Sequence, residues 1–106
     1  MSTTTEYVTV GHVDDVPPGQ VRLVVVDGRA WAVANVDGSF FAVDNNCPHN
    51  GGPLGYGALA GRELTCPWHG WRWDVASGAN TWPGTRWRAM RVPVRVVGDR
   101  VQLPRI

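Results

Sequence analysis

The sequence predicts an all-β domain with antiparallel strands, and three observations carry that prediction. Valine is the commonest of the 106 residues, with 17 copies, and its branched side chain suits a pleated strand better than a helix. Asp-Gly pairs separate short apolar runs, a strong hairpin signal. No segment sustains the 3.6-residue apolar period of a helix.

Taken in chain order, residues 21–26 (VRLVVV) end at Asp27-Gly28, and residues 30–36 (AWAVANV) end at Asp37-Gly38. A type I′ turn needs positive φ at both central positions, which Asp-Gly supplies. With residues 39–44 (SFFAVD) the pattern is a three-stranded meander. Near the other end Val92, Val94 and Val96 alternate with Arg91, Pro93 and Arg95. Gly98-Asp99 then turns the chain into Val101 and Leu103, a second hairpin with one apolar face.

Charge and composition exclude several classes. Ten basic and nine acidic residues leave a formal charge of +1, with 18% charged and 43% hydrophobic residues. That profile belongs to a folded chain and is too neutral to imply nucleic acid as a partner. The opening MSTTTEYVTVGH has neither a basic leader nor an apolar segment. The longest unbroken apolar stretch, Ala30 to Ala34, falls far short of the ~20 residues of a membrane span. A cytoplasmic location without a membrane partner is expected, and free thiols persist there. The only cysteines, Cys47 and Cys66, exclude a disulfide framework. A domain this small buries only about two-thirds of its unfolded surface, so an added stabiliser such as a metal centre would help it. All ten basic residues are arginine, and eight of them follow residue 60.

Residues 46–70 differ in character, with nine of 25 glycine or proline against twelve of 81 elsewhere. Loops are expected to dominate there. The stretch also holds both cysteines and two of the three histidines. Cys47-Pro48-His49 is followed, after sixteen residues, by Cys66-Pro67-Trp68-His69. Two thiolates and two imidazoles on two short loops suit zinc or iron. Zinc sites of this donor type prefer wider pairs, and Cys-x-His is atypical of them.

The stretch CPHNGGPLGYGALAGRELTCPWHGWRWD closely resembles the signature of the Rieske family: C-x-H, about sixteen residues, then C-x-x-H, flanked by HNGG-L and HG. The resemblance covers essentially the whole chain. It implies the Rieske fold as a single domain, residues 1–106, with an antiparallel β base (residues 1–44 and 85–106) and a cluster-binding insert (residues 45–84). It implies one 2Fe–2S cluster, with Cys47 and Cys66 on the inner iron and His49 and His69 on the outer, more exposed one. Ser77-Gly78 matches the turn after the second cluster loop, and Trp82-Pro83-Gly84 lies where a third loop covers the cluster. Leu54, Tyr56 and Gly57 would shape the first loop or simply pack.

Two ferric ions, two sulfides and two thiolates cancel to zero charge, and reduction adds one negative charge. Single-electron transfer is the matching task. High-potential members of the family carry a disulfide at the positions of Gly52 and Trp68, and a serine and a tyrosine at those of Trp71 and Trp73. With all four absent, the potential is expected near the lower end of roughly −150 to +300 mV. The chain thereby resembles the ferredoxins of bacterial ring-hydroxylating oxygenase systems, which carry electrons from a flavin-dependent reductase to a terminal oxygenase and are not enzymes themselves. An oxygenase subunit needs two more histidines beside a carboxylate, and only His12 remains. The small subunit of a nitrite-reductase-like enzyme shares the fold, and a structural zinc-binding module is the reading from another class.

The remaining features carry less. His12 reads as a surface histidine, and Trp71 and Trp73 as core packing. Trp68 reads equally well as a core residue or as one facing a partner. The arginines from Arg86 to Arg95, alternating with Trp87 and the valines, read as a solvated strand face in preference to a docking patch.

Overall fold

The computed structural model describes residues 5–105. Among the described residues eleven strands form three antiparallel sheets. The meander is present as β2 (Val21–Val26), β3 (Arg29–Val36) and β4 (Ser39–Asp44). Asp27 and Gly28 have φ of 51° and 80°, and Asp37 and Gly38 have 50° and 92°, as a type I′ turn requires. Val26 pairs with Arg29 and Val36 with Ser39, so each connection is a two-residue loop.

The second sheet has the order β1-β11-β10, with β1 at Tyr7–His12, β10 at Arg95–Val97 and β11 at Arg100–Pro104. The expected strand through Val92, Val94 and Val96 is instead divided. Arg91–Val92, here β9, pairs with β4, whereas β10 pairs with β11 around Gly98-Asp99. Pro93 has no N–H to continue a ladder, so the chain changes sheet there. Val96 is exposed, and the apolar face of that hairpin belongs to Val101 and Leu103.

The third sheet joins β5 (Ala58–Ala60), β6 (Glu63–Thr65), β7 (Arg72–Asp74) and β8 (Asn80–Trp82) in sequence order. Two of these short strands fall within residues 46–70, where loops were expected to dominate. Leu59 lies opposite Leu64, and Leu64 opposite Trp73, which gives this sheet one apolar face.

The two-residue period of β3 explains how the sheets combine. Ala32 and Ala34 enter a core with Val43, Leu54, Leu64, Trp73 and both cysteines. Trp31 and Val33 enter a second core with Val26, Val92, Val101 and Leu103. Buried on both faces, β3 is the most apolar run of the chain. No helix among the described residues is long and apolar enough to cross a membrane.

Candidate metal centre

Two loops converge beside the first core. The first follows β4 and is anchored by Asn45, whose carbonyl accepts from the Leu54 amide (2.7 Å) and whose side-chain oxygen accepts from Gly55 N (2.7 Å). Within it, Cys47 N donates to Gly52 O (2.9 Å) and Gly51 N to Cys47 O (2.7 Å). The second loop links β6 to β7 and is closed by Cys66 N donating to Trp71 O (2.7 Å). Its tip runs through His69 and Gly70 at φ of 68° and 75°. Positive φ is unusual for a histidine, and such backbone is retained where surrounding structure holds it.

Asn50 ties the loops together. Its oxygen accepts from Gly52 N (3.0 Å) and its amide donates to Trp68 O (3.3 Å). Gly52 is pressed against the second loop. A Cβ there would stand 2.6 Å from Sγ of Cys66 and 3.1 Å from Cβ of Trp68.

The four predicted donors form two pairs. Cys47 and Cys66 are 2% and 1% exposed. Burial pushes the Cys66 thiol up to about 11; the Trp68 backbone opposes the rise, and the adjacent Cys47 thiol adds to it. Such a site disfavours a lone thiolate and favours one whose charge a metal ion neutralises. The rings of His49 and His69 lie 5.9 Å apart and nearly perpendicular, at 81°. His69 is exposed, whereas Nδ1 of His49 is buried and has no hydrogen-bond partner. A buried, unpartnered ring nitrogen calls for an explanation, and a ligand bond is one. Among the described residues no three His, Cys, Asp or Glu side chains gather around one ion-sized point. The division into a thiol pair and an imidazole pair fits a two-iron cluster held at both ends.

The other expectations fall out unevenly. Trp73 is fully buried in the core, its Nε1 also unpartnered. Trp71 packs against that core and also stacks on His49, with centroids 3.8 Å apart and planes within 3°. Trp68 is exposed, which resolves its double reading toward solvent. Gly78 reaches φ 80° and accepts from Ala89 N (2.8 Å), joining the Ser77-Gly78 turn to the segment after β8. The Trp82-Pro83 bond is cis. Leu54 is buried and Tyr56 exposed. His12 is a half-exposed side chain bonded to Asp99 (2.9 Å), as expected of a surface histidine.

The reading of Arg86–Arg95 as a solvated strand face holds for Arg91 on β9 and Arg95 on β10, both exposed, and is corrected for Arg86 and Arg88, because residues 83–90 form a loop with an isolated bridge at Arg88. Arg88 and Arg91 donate to Ser77 O (3.2 Å) and Ala76 O (2.6 Å), and Arg95 lies on the second sheet against Gln102 and Tyr7. That loop carries Trp87, whose ring lies 5.6 Å from Trp71 and 6.2 Å from His49. Sequence reasoning missed Trp87 and Asn50. Asn50 was visible in the HNGG string, but Trp87 had no signal beyond being aromatic.

Residues 6–96 match the family model for the Rieske [2Fe-2S] domain. The chain is 35% identical over 89 residues to the ferredoxin component of a naphthalene 1,2-dioxygenase system from Pseudomonas aeruginosa, covering 84% of this chain and 86% of that one. It is 38% identical over 76 residues to the ferredoxin component of a p-cumate 2,3-dioxygenase system from Pseudomonas putida, covering 70% and 64%. Among solved structures, a Sphingomonas yanoikuyae B1 ferredoxin superposes with a TM-score of 0.87 at 29% identity, covering 95% of this chain and all (100%) of that one. Donor set, fold and family model agree, and the chain belongs to the Rieske [2Fe-2S] domain family, with a Rieske-type 2Fe–2S cluster as its cofactor.

Proposed function

We propose that this chain carries single electrons from a flavin-dependent reductase to a terminal oxygenase of the aromatic-ring-hydroxylating type. In this reading Cys47 and Cys66 hold the inner iron and His49 and His69 the outer one. The observation that carries it is the buried, unpartnered Nδ1 of His49 beside two buried thiols, on loops locked by Asn50. When bound, the cluster supplies a one-electron couple between a neutral and a singly negative state. The chain's own residues bury the sulfur end, orient the imidazoles and leave His69 at the surface. Ferredoxin–oxygenase complexes are known for the structurally similar carbazole 1,9a-dioxygenase ferredoxin, at a TM-score of 0.85 and 29% identity. That likeness supports an oxygenase as the acceptor.

A low potential belongs to the same proposal. Gly52 and Trp68 cannot form a disulfide, and Trp71 and Trp73 bring no hydroxyl group. The expected midpoint lies in the lower half of roughly −150 to +300 mV. A cytoplasmic location belongs to the same reading.

The test is anaerobic purification followed by metal, sulfide and spectroscopic analysis. The proposal expects a brown-red protein with an EPR signal only after reduction, and reoxidation by an oxygenase component. A colourless protein containing zinc would overturn it.

A further inference from the structure

His49 and His69 occupy different surroundings. His69 stands exposed at the tip of the second loop. His49 is half-buried, with Trp71 lying flat on its ring at 3.8 Å and 3° and Trp87 leaning over both at 36° and 34°. The three aromatic groups come from three separate segments: the first loop, the end of the second, and the segment after β8.

Two physical consequences follow. The second torsion of a histidine is soft, so something must set the plane of its ring. Among the described residues no hydrogen bond reaches the buried Nδ1 of His49. The parallel face of Trp71 is therefore the protein contact that sets the plane in advance of any bond at Nδ1, and Trp87, half exposed at 50%, backs it. The second consequence concerns water. Reduction adds a negative charge, and water near that charge stabilises it. A roof of two indoles keeps water from one side of the centre.

We propose that Trp71, backed by Trp87, is a positioning residue that fixes the plane of the His49 imidazole and dries that side of the metal centre, leaving His69 as its wet edge. This rests on the reading of His49 as a cluster ligand. Neither tryptophan touches the iron; each acts through His49 and through the exclusion of solvent.

The experiment compares cluster-loaded wild type with Trp71→Ala, Trp71→Phe and Trp87→Ala, by voltammetry, by EPR of the reduced state and by pulsed EPR in deuterated water. Trp71→Ala is expected to raise the reduced-to-oxidised ratio at fixed applied potential about tenfold, or about 59 mV for a one-electron couple. It should also broaden the EPR features and strengthen the coupling to solvent deuterons. Trp71→Phe keeps a stacked ring and should stay near wild type. Trp87→Ala should shift the potential the same way by a smaller amount. Wild-type potential and EPR in Trp71→Ala would overturn the proposal. If that variant does not take up a cluster, an unchanged potential and deuteron coupling in Trp87→Ala would overturn it instead. A wild-type protein with no EPR signal on reduction is a different outcome: it removes the ligand reading itself.

Discussion

Gly52 lies so close to Cys66 that a Cβ on it would stand 2.6 Å from the cysteine sulfur. Real Cβ atoms do not approach sulfur so closely, so the backbone of the first loop is pressed against the thiol of the second. Gly52→Ala must push the loops apart, and overpacking of this kind costs about 1–3 kcal/mol. The expected result is lower iron content per chain and a lower melting temperature, read by metal analysis and a thermal scan.

Asn50 makes one link between the loops, donating to Trp68 O, and braces the first loop by accepting from Gly52 N. Asn50→Ala removes both while leaving the four donors in place. A loss of about 1–2 kcal/mol is expected at ordinary net hydrogen-bond strengths. For a domain of this size that corresponds to a fall in Tm of roughly 4–16 °C. Faster loss of the cluster in air should accompany it, followed by the decay of visible absorption.

His49 and His69 are distinguishable by replacement. His49→Ala is expected to abolish the reduced-state EPR signal, and His49→Cys to replace it with that of a cluster held by three cysteines and His69. A Rieske signal surviving either change would remove His49 from the ligand set.

The Cys66 thiol yields a prediction for the cluster-free protein. Burial raises it from 9.0 to about 11, so the folded state keeps its proton longer than the unfolded chain. The stabilisation this brings is fully present below pH 9 and is lost as pH rises through about 11. Urea unfolding of cluster-free protein should show a falling midpoint across that interval. Cys66→Ser should flatten the fall.

Arg86 is the cleanest probe of a basic docking contact, because Arg88 and Arg91 also hold the carbonyls of Ser77 and Ala76. Arg86 is exposed and makes no ion pair among the described residues. Arg86→Glu should slow electron delivery to an acidic oxygenase surface at low ionic strength, and the deficit should shrink as salt screens it. A rate unchanged at low salt would show that this arginine takes no part in docking.

Much of this protein was determined by short stretches of sequence. The Asp27-Gly28 and Asp37-Gly38 turns are local: two residues that tolerate positive φ between apolar runs define a hairpin without help from the rest of the chain. The four candidate ligands were legible for a similar reason, since cysteine and histidine at Cys-x-His and Cys-x-x-His spacing carry their chemistry in their identity and order. The split at Pro93 was written in the chain too, but the alternating valines around it masked the missing N–H.

The tertiary structure decided what depends on segments distant in sequence. Trp71 was expected to be core packing, and only the closing of the second loop against the first lays it on His49. Trp87 joins them because the segment after β8 folds back over the centre, a path no local pattern specifies. Asn50 became a clamp once Trp68 O stood within its reach. Ligand identity is a property of single residues and their spacing. The orientation of a ligand, its dryness and the clamp around it come from contacts that exist only when separate loops meet.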